Sequence, residues 1–191
     1  MAQTAAGFAM TPRAGYTLAA SLAVASLLAT LGASSPPHYI WNLTPSVPLG
    51  LYAVQSPDRL YVTMLVVVTP PEPLATTLSD GGYLPRGVPL LKRIFALSGQ
   101  TVCRFGVRIT IDGIAAAPAR ERDLRGHPLP VWQGCRVIAD DEIFLMNWDA
   151  PDSLDGRYFG PLPRSAIVAR AVPIWTDEAG DGRFAWRAPT Q

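Results

Sequence analysis

The sequence has little charge and almost no lysine. Asp, Glu, Lys and Arg make up 16% of its 191 residues, whereas an average soluble domain has about 25%. The net charge is +1 at pH 7, so the composition indicates no basic face and predicts no nucleic-acid partner. Lys92 is the single lysine among the 16 basic residues, and together with Arg93 it interrupts an otherwise apolar run.

Residues 14–57 contain no formally charged residue. Within them, residues 16–35 are rich in Ala and Leu and lack proline, and their number is about the 20 that an apolar helix needs to cross a bilayer. We expect a transmembrane anchor at 16–35, after a short cytoplasmic tail at 1–15 whose Arg13 favours that side of the membrane. A cleaved signal peptide is one alternative, and a buried core helix is the other.

An anchor and a signal peptide both place residues 36–191 outside the cytoplasm. The expected location is the bacterial inner membrane, with residues 36–191 as a periplasmic domain. Cys103 and Cys135 lie on that side, where a pair of cysteines readily forms a disulfide; two buried thiols are the alternative. His38 and His127 are isolated from each other and from the cysteines, so neither a metal site nor a cofactor is predicted.

The predicted secondary structure consists of short elements, because 19 prolines and 16 glycines interrupt the chain. Apolar and β-branched runs predict strands at 49–54, 59–70 and 88–97, and the Asp-Gly pair within 107–117 predicts a hairpin. Residues 70–87 are expected to form a loop or lid. Strands and helices do not alternate, which argues against a doubly wound sheet. The expected fold class is mainly β with long loops.

Lys92 has a chemical interpretation in this setting. Burial in an apolar environment disfavours the ammonium form and lowers the pKa of a lysine. A neutral lysine amine can take a proton from a hydroxyl, which arginine cannot do because it keeps its proton. The alternative is a lysine on the solvent side of a strand that extends its amine into water.

Two further stretches carry polar side chains in constrained turns. Ser46 lies between Pro45 and Pro48 at the start of a predicted strand, which holds its hydroxyl exposed; an ordinary serine in a proline-rich turn is the alternative. Residues 147–163 combine aspartates, a serine and an arginine in a loop rich in Gly and Pro. That loop lacks the regular spacing of oxygen ligands that a calcium loop needs, and a solvated turn is the other interpretation.

Taken in this order, the three stretches resemble the Ser-Lys signal peptidases of the signal peptidase I type. The nearest resemblance is to the conjugative-transfer branch, the TraF-type peptidases that mature pilin precursors. The motifs are Ser-x-Pro-x-Gly, a Lys-Arg pair followed by apolar residues and a Gly, and Ser-x-Asp-x-Arg-x-x-Gly. The matching residues are Ser46, Pro48 and Gly50, then Lys92, Arg93 and Gly99, then Ser153, Asp155, Arg157 and Gly160.

The resemblance implies a signal-peptidase-like β-sheet catalytic domain preceded by one N-terminal transmembrane helix. It implies Ser46 as the nucleophile and Lys92 as the general base, with the Ser46 N–H and the Thr44 hydroxyl as oxyanion donors. Ser153 would orient the Lys92 amine, and the pair Asp155 and Arg157 would brace the loop.

The substrate implied by the resemblance is a pilin precursor, which some members of the branch also cyclise. No cofactor is implied. A general signal peptidase that removes signal peptides from exported proteins is one alternative. A membrane-tethered periplasmic scaffold without catalytic activity is another.

Overall fold

A computed structural model describes residues 12–31 and 37–188, and the chain divides into two units, one ending at Pro37 and the other beginning at His38. In the first unit, a helix (α1) spans Pro12–Leu31. It begins at a proline, which suits the first turn of a helix.

The transmembrane prediction for residues 16–35 is not supported. Within the described ranges, no helix combines the length and the apolar character needed to cross a membrane. The helix α1 contains many Ala, Ser and Thr residues among its leucines, and these small residues contribute less apolar surface than leucine does. Residues 1–11 of the predicted tail and residues 32–35 of the predicted segment lie outside the described residues.

The second unit is mainly β-structure, as the sequence predicts. Within its described residues, 38–188, it contains two α-helices, α2 (Glu72–Asp80) and α3 (Gly156–Phe159). Its strands are β1 (Tyr39–Asn42), β2 (Leu49–Gln55), β3 (Leu65–Val68), β4 (Leu90–Ala96), β5 (Thr101–Phe105), β6 (Arg108–Ile111), β7 (Ile114–Ala115), β8 (Gly134–Val137), β9 (Glu142–Leu145), β10 (Leu162–Pro163), β11 (Ile167–Asp177) and β12 (Ala185–Trp186).

The larger sheet is antiparallel, with the strand order β1-β2-β11-β3-β4-β9-β10 and with β12 paired to β11. Strand β3 lies between β11 and β4, and all four of its residues are buried. Because both faces of this strand are covered, its sequence is a continuous apolar run rather than an alternating one. Val66 of β3 is the partner of Lys92 on β4, so the lysine lies in the interior of the sheet.

The smaller sheet has the order β7-β6-β5-β8 and contains the predicted hairpin. Asp112 and Gly113 form its turn with positive φ angles of 50° and 81°, the conformation that Asp-Gly pairs favour. Cys103 and Cys135 are directly paired across β5 and β8, and they form a disulfide with a Cα–Cα distance of 4.0 Å. The predicted disulfide is therefore confirmed.

Two predicted boundaries differ from the structure. Residues 70–87 contain helix α2, because the prolines that indicated a loop occupy its N-cap, Pro71, and its first turn, where a missing N–H costs nothing. The predicted strand at 59–70 is confined to Leu65–Val68. Thr63 interrupts it with a φ of 79°, which is incompatible with a strand.

Candidate active site

The three polar stretches meet at one cavity of about 460 Å³. Ser46 reaches it from the turn before β2, Lys92 from β4, and Ser153 from the loop before α3. The rest of the lining is largely apolar, with Leu78, Leu84, Leu90, Leu129, Leu154 and Tyr158. It also includes charged residues, namely Arg120, Arg122, Asp123, Arg125, Asp149 and Asp152. The three motifs, which are separate in the sequence, therefore lie together at one cavity in the fold. A largely apolar lining with a few polar groups is usual for sites that bind organic ligands or peptide side chains.

The turn that carries Ser46 is organised by Asn42, the last residue of β1. The buried Asn42 amide donates hydrogen bonds to the carbonyl oxygens of Thr44, Val47 and Pro48 at 2.8, 3.0 and 3.1 Å. Its Oδ1 accepts from the Thr44 N–H at 3.1 Å. One side chain therefore fixes the main chain on both sides of Ser46, while the serine itself stays partly exposed.

The structure explains why residue 50, the last residue of the serine motif, is a glycine. Its φ is 137°, and a Cβ atom there would lie 2.2 Å from the carbonyl oxygen of Trp175 on β11. The two strands approach closely at this point, where the β11 ladder is irregular between Pro173 and Trp175. Only glycine fits, because any side chain would collide with main-chain atoms that cannot move independently.

Lys92 is 3% exposed, which rules out the interpretation of a solvent-facing lysine. Burial lowers the pKa of its amine from 10.5 to about 8; the nearby Asp155 carboxylate opposes this change and Arg157 reinforces it. At pH 7 a pKa of 8 leaves about one amine in ten neutral, against about one in three thousand for an ordinary lysine. The environment therefore raises the amount of neutral amine by a factor of several hundred.

The Lys92 amine is held by Ser153. Its Nζ donates a buried hydrogen bond of 2.6 Å to Ser153 Oγ. Within residues 12–31 and 37–188, no hydrogen bond joins Ser46 Oγ to Lys92 Nζ, although both residues line the cavity. Hydrogen bonds between the reacting groups of an active site are often long in a free enzyme and shorten when substrate binds.

Asp155 and Arg157 form a fully buried ion pair behind the cavity. Arg157 donates to Asp155 through Nε and Nη2, each at 2.9 Å. Asp155 also caps α3 by accepting from the Arg157 N–H. The Arg157 guanidinium donates further hydrogen bonds to the carbonyl oxygens of Ala150 and Ser153 at 2.8 and 3.2 Å. The pair thus fixes the loop that presents Ser153.

The packing behind α3 also explains Gly156. A Cβ atom at this position would lie 2.6 Å from the Phe144 ring and 2.7 Å from the carbonyl oxygen of Leu145. The loop is supported from the far side by Arg104, which donates to the carbonyl oxygen of Arg157 and neighbours the disulfide cysteine Cys103.

Thr44 lines the same cavity as Ser46. Its hydroxyl donates to Asn42 Oδ1 at 3.0 Å, so it would have to rotate away from Asn42 to donate to an oxyanion. The catalytic roles of Ser46, Lys92, Thr44, Ser153, Asp155 and Arg157 stay predictions, and the structure adds where these residues lie. Asn42 was missed in the sequence, although an asparagine two residues before a Thr-Pro turn is a known turn signal.

Part of the cavity wall is formed by two segments that are far apart in sequence, residues 81–84 and 118–129, and that are joined to each other by hydrogen bonds. Tyr83 Oη donates to Asp123 Oδ2 at 2.8 Å. The guanidinium of Arg125 lies 5.1 Å from the centroid of the Tyr83 ring and donates to the carbonyl oxygens of Gly81 and Gly82.

In the described part of the chain, no group of His, Cys, Asp and Glu side chains could hold a metal ion.

Comparisons with known proteins bear on this site. The signal peptidase family, peptidase S26, matches residues 13–176. A probable conjugal transfer protein TraF from Sinorhizobium fredii (strain NBRC 101917 / NGR234) is 34% identical over 176 residues, which cover 86% of this chain and 92% of that protein. The conjugal transfer protein TraF from Agrobacterium fabrum (strain C58 / ATCC 33970) is 36% identical over 148 residues, which cover 72% and 82%.

Among solved structures, that of a signal peptidase I from Enterococcus faecalis V583 matches with a TM-score of 0.37 and 14% identity, over 60% of this chain and 98% of that one. The resemblance to TraF-type signal peptidases that the motifs indicated is confirmed by the family match and the TraF relatives. The chain belongs to the signal peptidase family, peptidase S26.

Proposed function

We propose that this protein is a serine endopeptidase of conjugative transfer that cleaves a pilin precursor, with Ser46 as the nucleophile and Lys92 as the general base. The observation that carries the proposal is the placement of a buried lysine, with its pKa lowered to about 8, in the same cavity as a serine held in a fixed turn. The names of the TraF relatives support the role in transfer.

The chemistry has two stages, and in each stage Lys92 takes up one proton and then releases it. In the first step, Ser46 Oγ bonds to the carbonyl carbon of the scissile peptide while its proton passes to the neutral Lys92 Nζ. The tetrahedral intermediate collapses when the C–N bond breaks, and the Lys92 ammonium gives its proton to the leaving amine. A water molecule then attacks the acyl-enzyme, again losing a proton to Lys92, and Ser46 is released with its proton restored.

Three neighbours support these steps. Ser153 accepts from Nζ and so holds the amine in the cavity. The N–H of Ser46 and the hydroxyl of Thr44 are the proposed donors to the oxyanion, each worth about 10²–10³ in rate. Asp155 acts through Arg157 and the loop, since it accepts from Arg157 and from main-chain N–H groups.

The substrate and the compartment are part of the proposal. The apolar wall of the cavity suits the side chains of an extended peptide. A disulfide between Cys103 and Cys135 is typical of a protein that works in an oxidising compartment, which supports a periplasmic site of action at the inner membrane. A pilin precursor exported across that membrane would meet the enzyme there.

The test is mass spectrometry of candidate pilins from cells that carry the wild-type protein, Ser46→Ala or Lys92→Ala. We expect mature pilin only with the wild type. A product lighter than the linear mature chain by the mass of one water would identify cyclisation, in which the amine of the substrate replaces water at the acyl-enzyme. Tyr16→Ala, outside the second unit, is the control for expression.

Each alternative function predicts a different result. Full pilin maturation with both Ser46→Ala and Lys92→Ala would show that the protein is a scaffold and would refute the peptidase proposal. Loss of signal-peptide removal from many exported proteins, with normal pilin maturation, would identify a general signal peptidase instead.

A further inference from the structure

Asn147 is a buried residue to which the proposed reaction gives no role. It is 3% exposed and follows β9, where this strand separates from β4. Its Oδ1 accepts from the Arg93 N–H at 2.9 Å, and its Nδ2 donates to the carbonyl oxygen of Leu91 at 3.2 Å. These two groups belong to the residues on either side of Lys92, so a single amide holds the main chain of β4 around the lysine.

The side chain of Asn147 takes the place of a neighbouring strand. The pairing of β4 with β9 includes Ile94 with Leu145, and the N–H of Met146 still donates to the carbonyl oxygen of Arg93. Beyond Met146, the main chain no longer forms β-sheet hydrogen bonds with β4. The Asn147 amide supplies the donor and the acceptor that the sheet would otherwise provide, which a buried main chain requires.

The main chain of Asn147 is tied to the opposite side of the site. Its N–H donates to Asp155 Oδ2 at 3.1 Å, and its carbonyl oxygen accepts from Arg157 Nη2 at 3.4 Å. Asp155 and Arg157 fix the loop that presents Ser153, the hydrogen-bond partner of Lys92. Asn147 is therefore bonded both to the strand that carries the lysine and to the ion pair that holds its partner.

We propose that Asn147 is a positioning residue for Lys92: by bonding the peptide groups of Leu91 and Arg93 and the ion pair behind Ser153, it fixes where the amine lies and keeps water from it. The inference rests on the proposed function for its catalytic meaning. Positioning matters because an error of about 1 Å in a reacting group can cost about 10² in rate.

Removal of the amide has a second consequence beyond displacement. Asn147→Ala leaves the Arg93 N–H and the Leu91 carbonyl oxygen buried without partners, and water enters to satisfy them. Water beside Lys92 solvates the ammonium form, so the pKa of the amine rises toward its ordinary value. The charges that act on Lys92 are those of Asp155 and Arg157, and the cavity also contains Arg120, Arg122, Asp123, Arg125, Asp149 and Asp152. None of these charges is changed by the substitution.

The chain of 191 residues allows a direct measurement, because Lys92 is its single lysine. Lysine labelled with ¹³C at Cε gives one side-chain NMR signal, whose titration reports the pKa of Lys92 without substrate. The matched control is Gln100→Ala: the Gln100 amide also bonds the main chain just past β4, at Leu97, but it does not contact the residues that flank Lys92.

We expect Asn147→Ala to raise the pKa of Lys92 by about one unit. Activity at pH 7 should then fall at least about tenfold in kcat with KM unchanged. A higher pH should recover the part of this loss that comes from protonation, since the neutral amine is the active form, whereas the part that comes from displacement of the amine should remain. Gln100→Ala should leave both the pKa and the pH profile unchanged. An unchanged Lys92 pKa in a folded Asn147→Ala variant, or an equal change in both variants, would overturn the proposal.

Two measurements cover the case in which Asn147→Ala does not fold. Asn147→Ser retains a polar group but is too short to reach both peptide groups, and it should give the same direction of change. In the wild-type protein, the Arg93 N–H must be protected from hydrogen exchange, and rapid exchange there would refute the proposal. If the Lys92 pKa is shifted in Asn147→Ala but the wild-type protein has no peptidase activity, the proposed function alone is refuted. If the wild-type protein is an active peptidase but the Lys92 pKa is unshifted in Asn147→Ala, the role of Asn147 alone is refuted.

Discussion

Lys92 Nζ donates a 2.6 Å hydrogen bond to Ser153 Oγ, although 61 residues separate the two in sequence. This bond joins the strand β4 to the loop before α3 inside the cavity that also contains Ser46. It holds the flexible end of the lysine side chain, which would otherwise have several rotatable bonds to order. In the proposed mechanism, this bond positions the Lys92 amine for proton transfer from the Ser46 hydroxyl.

The Ser153→Ala substitution tests this relation. The amine keeps its burial but loses its acceptor, so we expect kcat for peptide cleavage to fall about 10–10² while KM stays within about twofold. Ser153→Thr, which keeps the hydroxyl, is the control and should retain most of the activity. Equal activity of Ser153→Ala and the wild type would mean that the bond has no part in catalysis.

The Lys92→Met substitution should make the protein more stable and inactive. Because the pKa of Lys92 is lowered on folding from 10.5 to about 8, the unfolded chain binds more protons between these values, and the stability of the wild type rises with pH across that window. Below pH 8 the buried amine costs roughly 3 kcal/mol, which methionine avoids. Urea unfolding from pH 6 to 11 should give curves that differ most below pH 8 and converge above 10.5. Equal stability of the two proteins at pH 7 would contradict the lowered pKa of the buried Lys92 amine.

Thr44 is tested by a pair of substitutions, because its hydroxyl also bonds Asn42. Thr44→Val removes the hydroxyl at nearly constant volume and should lower kcat by about 10²–10³ if the hydroxyl stabilises the oxyanion. Thr44→Ser keeps the hydroxyl and should be within about tenfold of the wild type. If Thr44→Val retains full turnover, Thr44 has no place among the oxyanion donors.

Asp155→Asn should destabilise the fold much more than a matched change at the surface. It leaves the fully buried Arg157 guanidinium without its carboxylate, which costs about 3–5 kcal/mol. Asp152→Asn removes the partner of Arg120, an ion pair whose side chains are 43% and 46% exposed, and should cost at most about 1 kcal/mol. Chemical denaturation of both variants measures the difference, and similar losses would argue that Asp155 is not a structural brace.

The disulfide should contribute to stability without contributing to chemistry. Replacement of Cys103 and Cys135 together by serine opens a link between residues 32 apart in sequence, and we expect a loss of about 2–4 kcal/mol. Thermal unfolding with and without reductant makes the comparison: reductant should lower the Tm of the wild type to that of the double variant and leave the variant unchanged. A wild-type Tm that does not respond to reductant would contradict this contribution.

The sequence predicts the features that depend on local pattern. The apolar neighbours of Lys92 predict its burial, and the β-branched runs predict the central strands β3 and β4. The pair Cys103 and Cys135 predicts the disulfide. The transmembrane segment is not supported, because a count of apolar residues gives alanine the same weight as leucine. Helix α2 was missed because prolines were counted as breakers without regard to their position at its start.

The two asparagines could not be assigned from the sequence. An amide side chain that bonds the main chain can serve a turn, a cap or a strand edge, and its partners are known only once the chain is folded. Asn42 acts within a few residues, so a turn signal was at least available. Asn147 bonds residues more than 50 positions away, and nothing in its local sequence indicates them.

The main chain around Ser46 and the main chain around Lys92 are both held by asparagine side chains, and this affects how the site responds to pH. Asn42 holds the turn of Ser46, and Asn147 holds the strand of Lys92. Neither side chain gains or loses a proton in water, whereas the lysine between them does so near pH 8. In the proposed mechanism, acidification therefore protonates the Lys92 amine while the two asparagine side chains keep their hydrogen bonds. We expect activity to return without refolding when the medium becomes alkaline again.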